Sequence, residues 1–221
     1  MNHALIFTDG CNALSDGVAP DPTVPTGGEG TWWRRELGAS VLFKIPFFRD
    51  LCLWLGLVDA SRSTAEAVLE RGGSLFIYPG GEAEQIATKR GEHHVVVKRR
   101  RGFLRLALRY GAGVVPGYAF GEVDLYTTSS FLIGARRWLV KSFGVALPIF
   151  AGRWWCPLLP SSGSSLCLVW GRVLDTKKVE GEPSKEAVDA LQARYEEELT
   201  RVFSANKRAH GLPDDATLVI R

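Results

Sequence analysis

The chain has 221 residues, 46% hydrophobic and 23% charged, which fits one globular domain with a sizeable core rather than a disordered or repeat protein. A formal net charge of +3 gives no global drive toward nucleic acid. Four cysteines (Cys11, Cys52, Cys156, Cys167) are widely spaced with no C-x-x-C pair, so they read as reduced thiols in a cytosol-facing protein.

Met1-Asn2-His3 lacks a charged n-region, and the apolar run from Ala4 ends at Thr8-Asp9, so no secretory signal is expected. Residues Ala19 to Gly30 carry three prolines and three glycines and read as a loop. The longest apolar stretch, Val41 to Val58, is interrupted by Lys44, Arg49 and Asp50. At a bilayer centre each charge costs about 2.5–3.5 kcal/mol, so this stretch is not expected to span a membrane.

Ser63-Thr64-Ala65-Glu66 has the form of a capping box, with Ser63 capping a helix and Glu66 reaching back to it. Ala65, Val68 and Leu69 supply the apolar stripe, and Gly72-Gly73 the stop. Leu75 to Tyr78 reads as a strand stopped by Pro79-Gly80-Gly81. A helix is expected from Arg101 to Tyr110, with Phe103, Leu104, Ala107 and Leu108 inward and Gly111 ending it. Val114 to Phe120 reads as a strand region. Phe131 to Phe150 mixes aromatic and basic residues, a pattern shared by membrane-surface helices and by ordinary amphipathic ones. Breaks are expected at Pro160 to Ser165 and at Gly181-Glu182-Pro183. Val188, Leu191, Tyr195, Leu199 and Val202 then mark a long helix on the outside of the sheet. This alternation predicts an α/β fold, one domain over residues 1–221 with a partly parallel sheet flanked by helices.

A strand ending in Pro-Gly-Gly places glycines at the carboxyl end of a sheet, where α/β folds bind ligands. Glu82, Glu84 and Gln85 follow directly. Downstream lies a basic stretch from Lys89 to Arg109, in which Arg101, Arg105 and Arg109 form a stripe at helical spacing. The stripe is either a solvated charged face or a seat for phosphates. The run is short for nucleic acid, which is not expected as a partner. His93-His94 is the one adjacent histidine pair; neighbouring side chains diverge, so no metal site is expected.

Tyr78 to Gln85, the run Arg101-Gly102-Phe103-Leu104-Arg105-Leu106-Ala107 with Gly113-Val114-Val115-Pro116, and Phe120-Gly121-Glu122 together resemble the type-two diacylglycerol acyltransferase family, which includes monoacylglycerol acyltransferases and wax synthases. Pro46 to Arg49, Leu57 to Arg62 and His210 to Pro213 extend the resemblance over most of the chain from Lys44 onward.

The resemblance implies an O-acyltransferase that moves a fatty acyl group from acyl-CoA, as co-substrate and without a further cofactor, to a glycerolipid hydroxyl. It also implies neutral glycerolipid substrates and a membrane surface, the cytosolic face of the endoplasmic reticulum or a lipid droplet. Glu84 matches the catalytic glutamate of the glycine block, expected to support a histidine or hold the substrate hydroxyl. Gly80 and Gly81 would admit the thioester and donate to its oxyanion. Arg101, Arg105 and Glu122 are the further substrate-binding candidates. The family's His-Pro-His-Gly motif and the hydrophobic hairpin before it are absent from the sequence. An N-terminally incomplete enzyme is therefore expected, or alternatively an inactive acyl-CoA- or lipid-surface-binding module. His3 is a candidate base, but the related His-x-x-x-x-Asp pattern would need aspartate at Thr8, and Asp9 lies one residue late.

Overall fold

A computed structural model describes residues 2–7, 34–81, 84, 92–128, 150–156, 159, 161 and 165–221. The Ala19 to Gly30 loop and residues 131–149 of the aromatic-basic segment lie outside them.

Six strands form the main sheet: β1 (Asn2–Phe7), β2 (Arg34–Gly38), β3 (Leu57–Asp59), β4 (Ser74–Ile77), β6 (Gly113–Phe120) and β9 (Cys167–Trp170). Among the described residues four short strands pair elsewhere, β5 (His94–Val95) with β10 (Val219–Ile220) in parallel, and β7 (Thr127–Thr128) with β8 (Phe150–Ala151) antiparallel. Among the described residues the α-helices are α1 (Phe48–Trp54), α2 (Arg62–Glu70), α3 (Gly102–Tyr110) and α4 (Lys185–Asn206). None of them is long and apolar enough to cross a membrane.

The sheet order is β3-β2-β4-β1-β6-β9, with β2 parallel to both β3 and β4. The partly parallel α/β fold read from the sequence is therefore the fold observed. β1, to which the sequence assigned no element, is a central strand, antiparallel to β4 on one side and β6 on the other. Ala4, Ile6, Leu75, Val114, Tyr118 and Phe120 join the core beneath α2, α3 and α4. Each inward position expected on α3 and α4 is buried, because spacings of three and four put those side chains on the stripe facing the sheet. Gly111 ends α3 in the left-handed conformation, at φ 65°, as a helix-stopping glycine does.

The start of α2 differs from the expectation. Ser61, not Ser63, is the N-cap, its hydroxyl accepting the Thr64 N–H at 3.4 Å. Glu66 does not reach back to the cap. It binds Arg62 Nε at 2.9 Å and Arg109 at 3.0 Å, because a guanidinium one turn earlier and another on α3 draw it outward.

Candidate active site

The amino end of β1 lies between the ends of β4 and β6 because it runs antiparallel to both. The glycine block after β4 and Glu122 after β6 thus meet at Asn2 and His3. Glu84 is 97% buried (3% exposed) and accepts two backbone N–H groups, Asn2 on Oε1 at 2.9 Å and Val96 on Oε2 at 3.0 Å. Burial pushes its carboxyl up from the ordinary range, against the opposing pull of the Val96 and Asn2 N–H groups.

Gly80 is buried directly against this carboxyl. A Cβ there would collide with Glu84 Oε2 and stand 2.6 Å from Glu84 Cβ, so only glycine leaves the carboxylate its seat. Gly81 serves differently: its φ of +52° suits a left-handed turn, and a Cβ would meet nothing within 4 Å among the described residues.

Glu122 follows Gly121 in a 3-10 turn and brings Oε2 to 3.2 Å from His3 Nε2. Burial is the largest single influence and acts to raise the Glu122 carboxyl, but the His3 hydrogen bond and the positive charge nearby together make the net shift downward. His3 Nδ1 is buried with no hydrogen-bond partner among the described residues. The imidazole packs edge-on against Tyr78, with ring centroids 4.9 Å apart, and Tyr78 donates to Glu36 at 2.5 Å. Burial, reinforced by Glu36, pushes the Tyr78 hydroxyl up and keeps it protonated. Behind β1 the Tyr195 hydroxyl of α4 contacts Asn2 Oδ1 at 2.8 Å and the His3 carbonyl at 3.1 Å.

The structure therefore gathers Glu84, Gly80, Gly81 and Glu122 at one end of the sheet, with the arginines on an adjoining wall. Arg101 precedes α3 and pairs with Asp189 at 2.5 Å, while Arg105 lies exposed along a neighbouring cavity. Among the described residues no three His, Cys, Asp or Glu side chains gather as metal ligands. Asn2 and Val96 were invisible to sequence reasoning, since they act through backbone N–H groups. Tyr195 did leave a signal, a phenol on an otherwise apolar stripe that must find a partner for its hydroxyl.

Comparison with known proteins places the chain. The diacylglycerol acyltransferase family model matches residues 36–221. Diacylglycerol O-acyltransferase 2 of Mus musculus is 34% identical over 193 residues, covering 80% of this chain and 49% of that protein. Diacylglycerol O-acyltransferase 1 of Saccharomyces cerevisiae is 32% identical over 182 residues, covering 78% and 43%. Acyl-CoA wax alcohol acyltransferase 2 of Mus musculus is 33% identical over 234 aligned positions, covering 100% of this chain and 65% of that protein. No solved structure matches. The chain belongs to the diacylglycerol acyltransferase family, and it spans about half the length of the diacylglycerol acyltransferases it matches.

Proposed function

We propose that this chain forms the catalytic-domain part of an acyl-CoA-dependent O-acyltransferase that esterifies a glycerolipid hydroxyl, converting diacylglycerol to triacylglycerol. The observation that carries this reading is the buried Glu84 carboxylate, seated on Gly80 and bonded to the Asn2 N–H in a member of this family.

In the reaction the acceptor oxygen attacks the thioester carbonyl carbon, the carbon–sulfur bond breaks, and CoA leaves as the thiol. The acceptor's proton must move to a base during attack, because a neutral alcohol is a poor nucleophile. The reading assigns proton acceptance to His3, whose Nε2 is fixed by Glu122 and whose Nδ1 has no partner among the described residues. Glu84 then acts as a positioning residue, holding the backbone next to His3. With both oxygens engaged by N–H groups and the carboxyl buried, it is poorly disposed to touch substrate itself.

Membrane-surface binding, at the cytosolic face of the endoplasmic reticulum, belongs to the same reading. Two large rings beside Lys44 and Arg49 support it: Phe47 is 83% and Trp54 85% exposed. Phe47 also holds a φ of 69°, an uncommon conformation for a bulky residue, which presents its ring outward. Rings and cations together suit a headgroup layer.

Membranes from cells expressing the protein, given labelled acyl-CoA and diacylglycerol, test the reaction. Label in triacylglycerol supports it. Tight acyl-CoA binding without turnover would favour the inactive binding module instead.

A further inference from the structure

Between the ends of β2 and β4, α2 and α3 lies a cavity of about 500 Å³. Six arginines line it: Arg62, Arg99, Arg100, Arg101, Arg105 and Arg109. Three of them are committed to ion pairs. Arg62 binds Glu66 and Glu182 at 2.9 and 3.0 Å, Arg109 binds Glu66 at 3.0 Å, and Arg101 binds Asp189 at 2.5 Å. The helical stripe is thus split, and for Arg101 and Arg109 the structural role accounts for the charge. Arg99, Arg100 and Arg105 are exposed and pair with no carboxylate among the described residues. Three guanidiniums crowded on one cavity repel one another and raise the local potential for anions.

We infer that this cavity binds a phosphomonoester carried on a larger, partly apolar body, with Arg99, Arg100 and Arg105 as its contacts. A phosphomonoester carries about −1.5 to −2 charge at neutral pH and three acceptor oxygens, which suits three guanidiniums better than a lone carboxylate does. The cavity is larger than a phosphate alone needs and falls within the range of small-ligand sites. Part of its remaining wall is apolar, supplied by Leu37, Ile77, Pro79 and Leu106, so the group attached to the phosphate has a surface to cover; the one carboxylate among the described residues of the wall, Glu182, is paired with Arg62. The wall at Tyr78 and Pro79 runs directly into Gly80, which directs that body toward Glu84.

Two sources carry this chemistry, the 3′-phosphate of coenzyme A and the headgroup of a phosphatidate-like lipid. The first rests on the acyl-transfer reading; the second does not. The test measures binding of coenzyme A and of 3′-dephospho-coenzyme A to the detergent-solubilised protein by calorimetry. It also measures binding to phosphatidylcholine vesicles with and without phosphatidate.

The expected result is about a tenfold or greater preference for the monoester in at least one pair, weakening with salt. The variant Arg99→Gln/Arg100→Gln/Arg105→Gln should lose that preference with an unchanged melting temperature, since none of the three is in an ion pair among the described residues. Lys177→Gln, an exposed basic residue away from the cavity, should bind as the unaltered protein does. A preference only for coenzyme A assigns the nucleotide source, and one only for phosphatidate assigns the lipid. Absence of preference in both pairs, or full binding by the triple variant, overturns the inference. A protein that binds the monoester but transfers no acyl group leaves the inference standing and removes the reaction.

Discussion

Glu84 Oε1 accepts the backbone N–H of Asn2 at 2.9 Å, joining residues 82 positions apart and fixing the start of β1 to the glycine block. Its other oxygen holds Val96, so one carboxylate ties together three separate stretches of chain. Replacement by alanine strands both N–H groups, each worth about 1–3 kcal/mol when buried and unpaired. Relief of a buried charge offsets part of that. Glu84→Ala should therefore lower stability by about 2–4 kcal/mol in urea unfolding. A loss below about 0.5 kcal/mol, the usual size for surface changes, would contradict the staple.

The two glycines should separate cleanly. Gly80→Ala collides with Glu84 and should approach the effect of removing the carboxylate itself. Gly81→Ala meets none of the described residues and has an unfavourable φ to bear, a cost of about 1 kcal/mol. Equal losses in the two variants would mean that Gly80 does not seat Glu84.

His3→Gln should lower kcat by about 10²–10⁴-fold with little change in KM, as expected when a group acts only in proton transfer. Glu122→Gln, which keeps the contact with Nε2 but removes the charge, should lower kcat less. Full activity in His3→Gln would place the base elsewhere.

Burial lowers the pKa of His93, whose Nδ1 lies 3.0 Å from the Tyr118 hydroxyl. An imidazole with a depressed folded pKa contributes stability above its ordinary value of 6.5, and this is lost as the pH falls through the folded value. The melting temperature should therefore drop on acidification from about pH 7 to about pH 5, and His93→Asn should flatten that slope. An unchanged slope in the variant would assign the loss to other groups.

The helices were legible because their apolar spacing is local and strong: α3 and α4 lie where Phe103, Leu104, Leu191 and Tyr195 pointed. Two serines near the start of α2 offered rival caps, and sequence pattern favoured the one followed by glutamate. Tertiary arginines took that glutamate instead. β1 escaped because six residues with no turn signal ahead of them leave little pattern to read. At the site, the acids and glycines were visible as residue types, but not the reason for Gly80, which depends on where Glu84 folds. The arginine stripe was visible as spacing. Its division into paired and unpaired charges needed Asp189 and Glu66 brought in from other helices.

The most direct test of the account is incorporation of labelled acyl-CoA into triacylglycerol by membranes from cells that otherwise lack this synthesis. The chain should be assayed by itself and within any longer reading frame that contains it. The account predicts labelled triacylglycerol, reduced by His3→Gln and by Glu84→Ala at matched protein levels. No acyl transfer by either form, with diacylglycerol, monoacylglycerol or a long-chain alcohol as acceptor, would contradict it.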